Sequence, residues 1–179
     1  LAALADAELR PHASHGARGV VGAAFGVTPD EPAFGPLRDE FLAYYAEALC
    51  VRTTLFPGVA ALLDALDAAA LPWGIVTNKA TRLTLPLLDA LNLGRRTGCV
   101  VCGDTTARAK PYPDPLLAAA DRLAVPPAAC VYVGDAEGDL FALDARTGCV
   151  YWTTEVEAGI RSAITLGPRG ASGLTAYFG

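Results

Sequence analysis

Two aspartates follow a short apolar run, and their spacing suits a bound cation. The run at residues 130–133 is rich in β-branched and aromatic residues, which predicts a buried strand, and Asp135 and Asp139 come after it. Groups just past the carboxyl end of a strand line the ligand-binding crevice of an open α/β sheet. Two carboxylates there suit Mg²⁺, which binds few carboxylates and keeps several waters. Taken alone, the stretch favours a simpler interpretation, a turn at Asp135 and a helix cap at Asp139.

Two further polar sites lie upstream. Thr77 and Asn78 follow the buried run at residues 73–76, and a hydroxyl with free backbone N–H groups can hold phosphate oxygens there. Lys110 stands in a proline-rich stretch just before a helix and offers a fixed positive charge for a phosphate or a carboxylate. The alternatives are a strand-to-helix turn for Thr77 and Asn78, and a solvated surface lysine for Lys110.

The composition predicts a folded domain and argues against two kinds of partner. The chain has 179 residues, 53% of them apolar and 18% charged, which is enough to bury a large core. The net charge is −5 and no basic cluster occurs, so we expect no nucleic-acid partner. No apolar run approaches the roughly 20 residues of a membrane span. The chain begins at Leu1 without a signal-peptide pattern, and we expect it to be a fragment of a longer protein.

The five cysteines predict small buried side chains. Four of them lie in apolar runs, and the C-x-x-C pair Cys99 and Cys102 spans a predicted strand, in which positions three apart face opposite sides. A redox or zinc pair is the alternative. Buried small hydrophobic residues agree better with the pattern, and they favour a reducing, cytoplasmic location.

Periodicity divides the chain into a helical part, residues 1–53, and an α/β part that follows it. Helical patterns of apolar residues occur at 1–9, 19–25, 34–49, 59–70, 83–91 and 115–123. Short apolar strands alternate with the later helices, a further helix is expected from Asp139, and a strand is expected at 149–152. Residues 156–164 could be helix. This alternation predicts an α/β fold with a parallel sheet and right-handed crossovers.

Three segments resemble the second, third and fourth motifs of the haloacid dehalogenase superfamily of phosphohydrolases. They are IVTNK at 75–79, KPYPDP at 110–115 and VGDAEGD at 133–139. Within the superfamily the chain is similar to the phosphoglycolate phosphatase-like branch, through HGAR at 15–18 and FPGV at 56–59. The N-acetylmuramic acid 6-phosphate phosphatases of bacteria are similar around 17–18, 37–42 and 73–79. Three motifs in order make the resemblance specific for the superfamily.

The resemblance implies roles for five residues. Thr77 would bind the transferring phosphoryl group, assisted by the backbone at Asn78. Lys110 would neutralise charge between the nucleophile and the phosphate. Asp135 would ligate Mg²⁺, and Asp139 would support the metal directly or through water.

The resemblance also implies a fold, a three-layer, parallel-sheet, Rossmann-like core at residues 54–179 with a small helical cap at residues 1–53. The family's first motif, D-x-D-x-T, is absent from the 179 residues, so the core is expected to lack its first strand. That motif supplies the aspartate nucleophile and the aspartate acid/base. We therefore expect this chain alone to show no turnover, little Mg²⁺ affinity and marginal stability. We expect the motif within roughly 20–30 residues upstream of Leu1.

Two cap residues are candidates for substrate recognition. His15 and Arg18 flank a glycine at the start of a predicted helix, where they could bind a substrate's carboxylate or sugar. The alternatives are a loop residue for His15 and a solvated helix residue for Arg18. Asp104 is expected to be a turn residue, with a place at the rim of the site as the alternative.

The resemblance implies Mg²⁺-dependent hydrolysis of a small phosphomonoester through an aspartyl-phosphate. The first substrate expected is 2-phosphoglycolate, and the second is a phosphorylated amino sugar such as N-acetylmuramic acid 6-phosphate. A 2-haloacid dehalogenase is a rival enzyme, although the acid pair and the phosphate site favour the phosphatase. A non-catalytic domain that binds phosphate or a protein partner is the alternative from another class. The oligomeric state is left open.

Overall fold

The computed structural model describes residues 4–136, 139–144, 150–155 and 166–168. The chain divides into two units, Leu1–Val51 and Arg52–Gly179. In the described part of the chain, no helix has both the length and the apolar character needed to cross a bilayer.

The first unit is helical, as its apolar spacing predicts. Its elements are α1 (Asp6–Leu9), a 3₁₀ helix (Arg10–His15), α2 (Gly16–Phe25) and α3 (Phe34–Glu47). Val21 of α2 and Phe34 of α3 form its buried positions among the described residues, with exposed fractions of 1% and 6%. Gly26 ends α2 with φ at 69°, a left-handed conformation that glycine adopts without strain, and its N–H donates to Gly22 O.

The second unit alternates helices and strands up to residue 129 and then continues with strands. Its helices are α4 (Val59–Ala68), α5 (Thr81–Ala90) and α6 (Asp114–Arg122), followed by a 3₁₀ turn (Pro127–Ala129). Its strands are β1 (Gly74–Val76), β2 (Cys99–Val101), β3 (Cys130–Ala136), β4 (Asp139–Asp144), β5 (Val150–Glu155) and β6 (Leu166–Pro168). The three helices confirm the periodic patterns of the sequence, with ends that shift by no more than two residues.

Strands β1 and β2 pair in parallel and are covered by helices on both faces. The register sets Ile75 against Val100 and Val76 against Val101. Because neighbouring positions of a strand face opposite sides, Ile75 packs with α4 and α5, whereas Val76 and Val101 pack with α6. This order of helix, sheet and helix confirms the predicted three-layer α/β class. Val76 and Val101 are both 0% exposed, and burial of a valine contributes about 1.5–3 kcal/mol.

The strands from β3 onward differ from the prediction, since they pair antiparallel. β3 pairs with β4 on one side and with β6 on the other, and β4 also pairs with β5. The expectation of parallel pairing is confirmed for β1 and β2 and is wrong for these four strands. For β3 and β4 the reason is connection length, because parallel neighbours need a crossover of about a dozen residues. Ala136 pairs with Asp139 across only two intervening residues.

The helix predicted from Asp139 is also wrong, because residues 139–144 form β4. The run Leu-Phe-Ala-Leu at 140–143 is apolar and short, and periodicity cannot distinguish a buried strand from a helix over so few residues. Partner strands on both sides of β4 satisfy its backbone groups, which favours the strand. The strand predicted at 149–152 is confirmed as β5 from Val150. Cys149 and the helix expected at 156–164 lie outside the described residues.

Three of the four described cysteines, Cys99, Cys102 and Cys130, are buried, and Cys50 is half-buried. Cys99 and Cys102 are 8% and 2% exposed, and both are free thiols. Burial raises the pKa of the Cys99 thiol, which keeps it protonated. Within the part of the chain that the structure describes, no group of three or more His, Cys, Asp or Glu side chains could hold a metal ion. The prediction of buried small hydrophobic residues is confirmed for this pair.

A polar cluster joins the start of β1 to the helix before it and to the loop before β2. The indole N–H of Trp73, which is 2% exposed, donates to Asp67 Oδ1 at 2.7 Å. Arg96 donates to Asp67 Oδ2 from Nε at 2.9 Å and from Nη2 at 2.7 Å, and it also reaches Asp64. The Trp73 hydrogen bond, followed by the Arg96 hydrogen bonds, lowers the pKa of Asp67 below its ordinary value of 3.8. The charged form of Asp67 therefore stabilises the folded state.

We expect Asp67→Asn to lower Tm at neutral pH and to lose this effect in acid. Because the pKa of Asp67 is lowered on folding, its contribution is complete above 3.8 and disappears as the pH falls through the folded-state value. Thermal unfolding followed by circular dichroism from neutral to acidic pH measures the difference. Asp64→Asn, which loses only a contact with Arg96, is the matched control and should lower Tm less. A Tm difference for Asp67→Asn that persists unchanged in strong acid would contradict this expectation.

Candidate functional site

The loop after β1 begins at Thr77 and turns at once. The N–H of Thr77 donates to Val101 O at 2.9 Å, which extends the pairing of β1 with β2 by one residue. The Thr77 hydroxyl accepts a hydrogen bond from the N–H of Lys79 at 3.1 Å, an arrangement that closes a tight turn. The Thr77 side chain is therefore half-buried and fixed at the carboxyl end of β1.

The loop after β2 packs closely against the loop after β1. The N–H of Gly103 donates to Lys79 O at 3.0 Å. A Cβ added at Gly103 would overlap the backbone carbonyl of Asn78, so this close approach requires glycine. The two loops behave as one unit at the carboxyl ends of β1 and β2.

Asp104 caps the first turn of α5. Its carboxylate accepts hydrogen bonds from the Thr81 N–H at 3.0 and 3.2 Å and from the Thr81 hydroxyl at 2.5 Å. The Thr81 hydroxyl, and then the Thr81 N–H, lower the pKa of Asp104 below its ordinary value. A carboxylate at a helix N-terminus is also favoured by the helix dipole. Asp104 is thus a turn residue, as expected, with the added role of holding the second loop against α5.

The side-chain amide of Asn78 binds the main chain of Lys110. Its Nδ2 donates to Lys110 O at 3.0 Å, and its Oδ1 accepts from the Lys110 N–H at 3.0 Å. Two hydrogen bonds from one planar amide set both the position and the orientation of the Lys110 peptide groups. The peptide bond between Lys110 and Pro111 is cis.

The ammonium of Lys110 is directed to the carboxyl end of β1. Its Nζ donates to Val76 O at 3.3 Å and to the phenol oxygen of Tyr132 at 3.3 Å. The same Nζ lies 5.7 Å from the centroid of the Tyr132 ring, within the range of a cation–π interaction. Since Val76 directly precedes Thr77, the positive charge sits one residue from the start of the first loop.

The structure brings together three of the residues that the sequence singled out, Thr77, Asn78 and Lys110. Their predicted roles in phosphate binding stay predictions. The side-chain amide of Asn78 has a task that the sequence did not indicate, because the motif assigned a role to its backbone only.

Asp135 and Asp139 lie at one end of the β3–β4 pair. Asp135 pairs with Leu140, and Asp139 pairs with Ala136. Two residues that carry carboxylates at one end of a strand pair are a donor set that fits Mg²⁺, which takes its remaining ligands from water and phosphate. Their side-chain positions lie outside the described part of the chain, so their role as metal ligands stays a prediction.

The cap candidates lie in the first unit. His15 is the last residue of the 3₁₀ helix, Arg18 lies in the first turn of α2, and both side chains are exposed. An exposed arginine near a helix N-terminus is able to meet an anionic ligand, and the role of both residues in substrate recognition stays a prediction.

The sequence patterns did not indicate two residues that contact the site, Tyr132 next to Lys110 and Gly103 next to Asn78. In the sequence, Tyr132 looks like one more buried strand position, two residues after Cys130. This pattern predicts only that the side chain is buried. Gly103 stands between a strand and an aspartate, where an ordinary turn glycine is expected. A glycine two residues past the end of a predicted strand was the available signal for a close backbone approach.

Comparison with known proteins places these features in one family. The model of the haloacid dehalogenase-like hydrolases matches residues 4–145. Over 130 residues the chain is 40% identical to an N-acetylmuramic acid 6-phosphate phosphatase of Pseudomonas aeruginosa, covering 73% of this chain and 58% of the relative. Over 139 residues it is 43% identical to a phosphoglycolate phosphatase of Xanthomonas campestris pv. campestris, covering 78% and 62%. The chain thus spans about three fifths of the length of these relatives.

A solved structure shares the fold. A crystal structure of a predicted phosphoglycolate phosphatase from Haemophilus somnus 129PT superposes with a TM-score of 0.54 at 27% identity. The match covers 62% of this chain and 51% of that chain. The described α/β arrangement is therefore that of a known hydrolase fold.

We expect Gly103→Ala to destabilise the protein and to disturb the contact between Asn78 and Lys110. The added methyl group would press on the Asn78 carbonyl, and overpacking of this kind costs about 1–3 kcal/mol. Chemical denaturation measures the loss of stability, and amide NMR shifts of Asn78 and Lys110 measure the displacement. Gly35→Ala is the matched control, because nothing lies within 4 Å of a Cβ there and Gly35 sits inside α3. This control should leave stability unchanged or raise it, and an equal loss in both variants would refute the close-approach argument.

Proposed function

The chain belongs to the haloacid dehalogenase-like hydrolases, and we propose that it forms the cap, residues 1–53, and most of the core, residues 54–179, of a Mg²⁺-dependent phosphomonoester hydrolase. The position of the Lys110 ammonium supports this function most directly. It lies at the carboxyl end of β1, hydrogen-bonded to Val76 O and next to the turn that begins at Thr77. A fixed cation beside a hydroxyl and a turn of backbone N–H groups suits a transferring phosphoryl group.

The covalent step of this reaction needs an aspartate of the D-x-D-x-T motif, which these 179 residues do not contain. One of its carboxylate oxygens would attack phosphorus while the ester oxygen leaves with a proton from the second aspartate. Water would then hydrolyse the aspartyl-phosphate, releasing inorganic phosphate and restoring the nucleophile. Thr77 and the backbone at Asn78 would hold phosphoryl oxygens, and Lys110 would offset the negative charge shared by nucleophile and phosphate.

Asp135 and Asp139 would hold the metal ion, which supplies charge neutralisation for the phosphoryl oxygens when bound. β3 carries both Tyr132, which contacts Lys110, and Asp135, three residues further along the chain. One strand would therefore link the lysine to the metal ligands.

Two substrates are candidates, 2-phosphoglycolate and N-acetylmuramic acid 6-phosphate. The relatives support both, since one is named for each activity and the identities are 43% and 40%. Both molecules carry a carboxylate besides the phosphate, and we propose that Arg18, with His15 beside it, binds this group. The partner is accordingly a small phosphorylated metabolite. The net charge of −5 argues against nucleic acid, and the burial of Cys99, Cys102 and Cys130 as small apolar side chains favours the cytoplasm.

If D-x-D-x-T precedes Leu1 in the native gene product, we expect that product to hydrolyse p-nitrophenyl phosphate only with Mg²⁺ present. Lys110→Met should lower kcat by about 100-fold or more, because it removes a preorganised charge from the site. Steady-state assays of phosphate release, with and without excess EDTA, measure both effects. Arg95→Met removes an exposed positive charge elsewhere in the second unit and is the control.

Three results would count against this function. Phosphatase turnover that survives EDTA would remove the metal from the proposal. Halide release from a 2-haloacid without phosphatase activity would favour the dehalogenase. A gene product that lacks D-x-D-x-T and has no turnover would favour a non-catalytic domain.

We expect Arg18→Ala to raise KM for the carboxylated substrates and to leave p-nitrophenyl phosphate unaffected. The guanidinium would pair with the substrate carboxylate, a contact that p-nitrophenyl phosphate cannot make. An increase in KM of roughly tenfold is expected from the loss of one charge-assisted hydrogen bond. Arg10→Ala, an exposed residue of the adjoining 3₁₀ helix, is the control. A uniform change in KM for all three substrates would exclude carboxylate recognition by Arg18.

A further inference from the structure

Tyr132 carries a polar group into the core next to Lys110. The side chain lies in β3, is 6% exposed and packs in one cluster with Val76 and Val101. A phenol hydroxyl buried to this extent requires a hydrogen-bond partner. Its oxygen lies 3.3 Å from Lys110 Nζ, so the ammonium serves as one such partner.

Lys110 is held both at its main chain and at its head group. Asn78 fixes the peptide groups, and Val76 O and the Tyr132 hydroxyl accept hydrogen bonds from Nζ. Between these two points lies a flexible four-carbon stem, whose rotamers would otherwise spread the charge over several positions. Of these two acceptors among the described residues, the Val76 carbonyl belongs to the backbone and the phenol belongs to a side chain.

We propose that Tyr132 is a positioning residue for Lys110, and this inference rests on the proposed function. The phenol oxygen fixes the ammonium at the carboxyl end of β1, beside Thr77. Fixed charge stabilises a transition state better than mobile charge, because no reorganisation is needed when the reaction occurs. Tyr132 acts through Lys110 and not through the reacting atoms.

A purely structural role for Tyr132 makes a different prediction, and two variants separate the two roles. Tyr132→Phe keeps the ring, its packing and the cation–π contact, and removes only the hydroxyl. Cys130→Ala removes a buried group, 2% exposed, from the same strand and the same core cluster, without touching Lys110. If Tyr132 is merely structural, both variants should lower Tm and neither should change kcat.

The kinetic test uses the native gene product with p-nitrophenyl phosphate. Tyr132→Phe should lower kcat about tenfold and change KM by less than about twofold, since the phenol acts on the charge that the transition state needs. Cys130→Ala should leave kcat unchanged. In a Lys110→Met background, Tyr132→Phe should have no further effect on kcat, because a positioning residue has nothing left to position. Additive losses in the double variant, or an unchanged kcat in Tyr132→Phe, would overturn the inference.

A second measurement does not depend on turnover. The chain has only two lysines, Lys79 and Lys110, so acetylation at limiting acetic anhydride, followed by peptide mass spectrometry, gives an internal ratio. Tyr132→Phe should raise labelling of Lys110 relative to Lys79 several-fold, while Cys130→Ala should not. An unchanged ratio overturns the inference even in an active enzyme. A raised ratio in a protein without phosphatase activity supports the fixation of Lys110 and shows that the proposed function alone has failed.

Discussion

The side-chain amide of Asn78 joins the loop after β1 directly to the segment that contains Lys110. Its two hydrogen bonds, both 3.0 Å long, join residues 32 positions apart in the sequence. β1 and β2 contain three residues each, so their pairing alone is too short to orient the segments that follow them. The loop after β1 therefore positions Lys110. Gly103 and Asp104, in the loop after β2, pack against this loop and the start of α5 and hold them in place.

Arginine and lysine occupy different kinds of position in this chain. Twelve of the fourteen are arginines, and the only two lysines lie in the segments at 75–79 and 110–115. Arg96 uses its planar fork to bind two carboxylates of α4, and Arg122 reaches the carbonyl of Val100. An ammonium is compact and has a single nitrogen, and that one nitrogen of Lys110 donates both to a backbone carbonyl and to a phenol.

Sequence patterns predicted the local elements of the second unit and the types of the site residues. They failed where contacts between distant segments determine the structure. Apolar spacing located α4, α5 and α6, and the alternation in β1 and β2 explains the three layers. The same apolar character at residues 140–143 fitted a helix, whereas strand partners on both sides make it β4. Likewise, the hydrogen bonds between Asn78 and Lys110 join residues 32 positions apart, and no local pattern predicts such a contact.

Core and site are coupled because they share residues. Val76 contributes its side chain to the core cluster and its carbonyl to Lys110, and Tyr132 contributes its ring to that cluster and its hydroxyl to the same ammonium. A substitution that shifts β1 relative to β3 would therefore change the distance between these two acceptors of Nζ. Closely packed interiors transmit such shifts rather than absorb them. Changes in the packing of α6 against Val76 and Val101 should consequently shift the Lys110 ammonium, although neither Val76 O nor the Tyr132 hydroxyl belongs to α6.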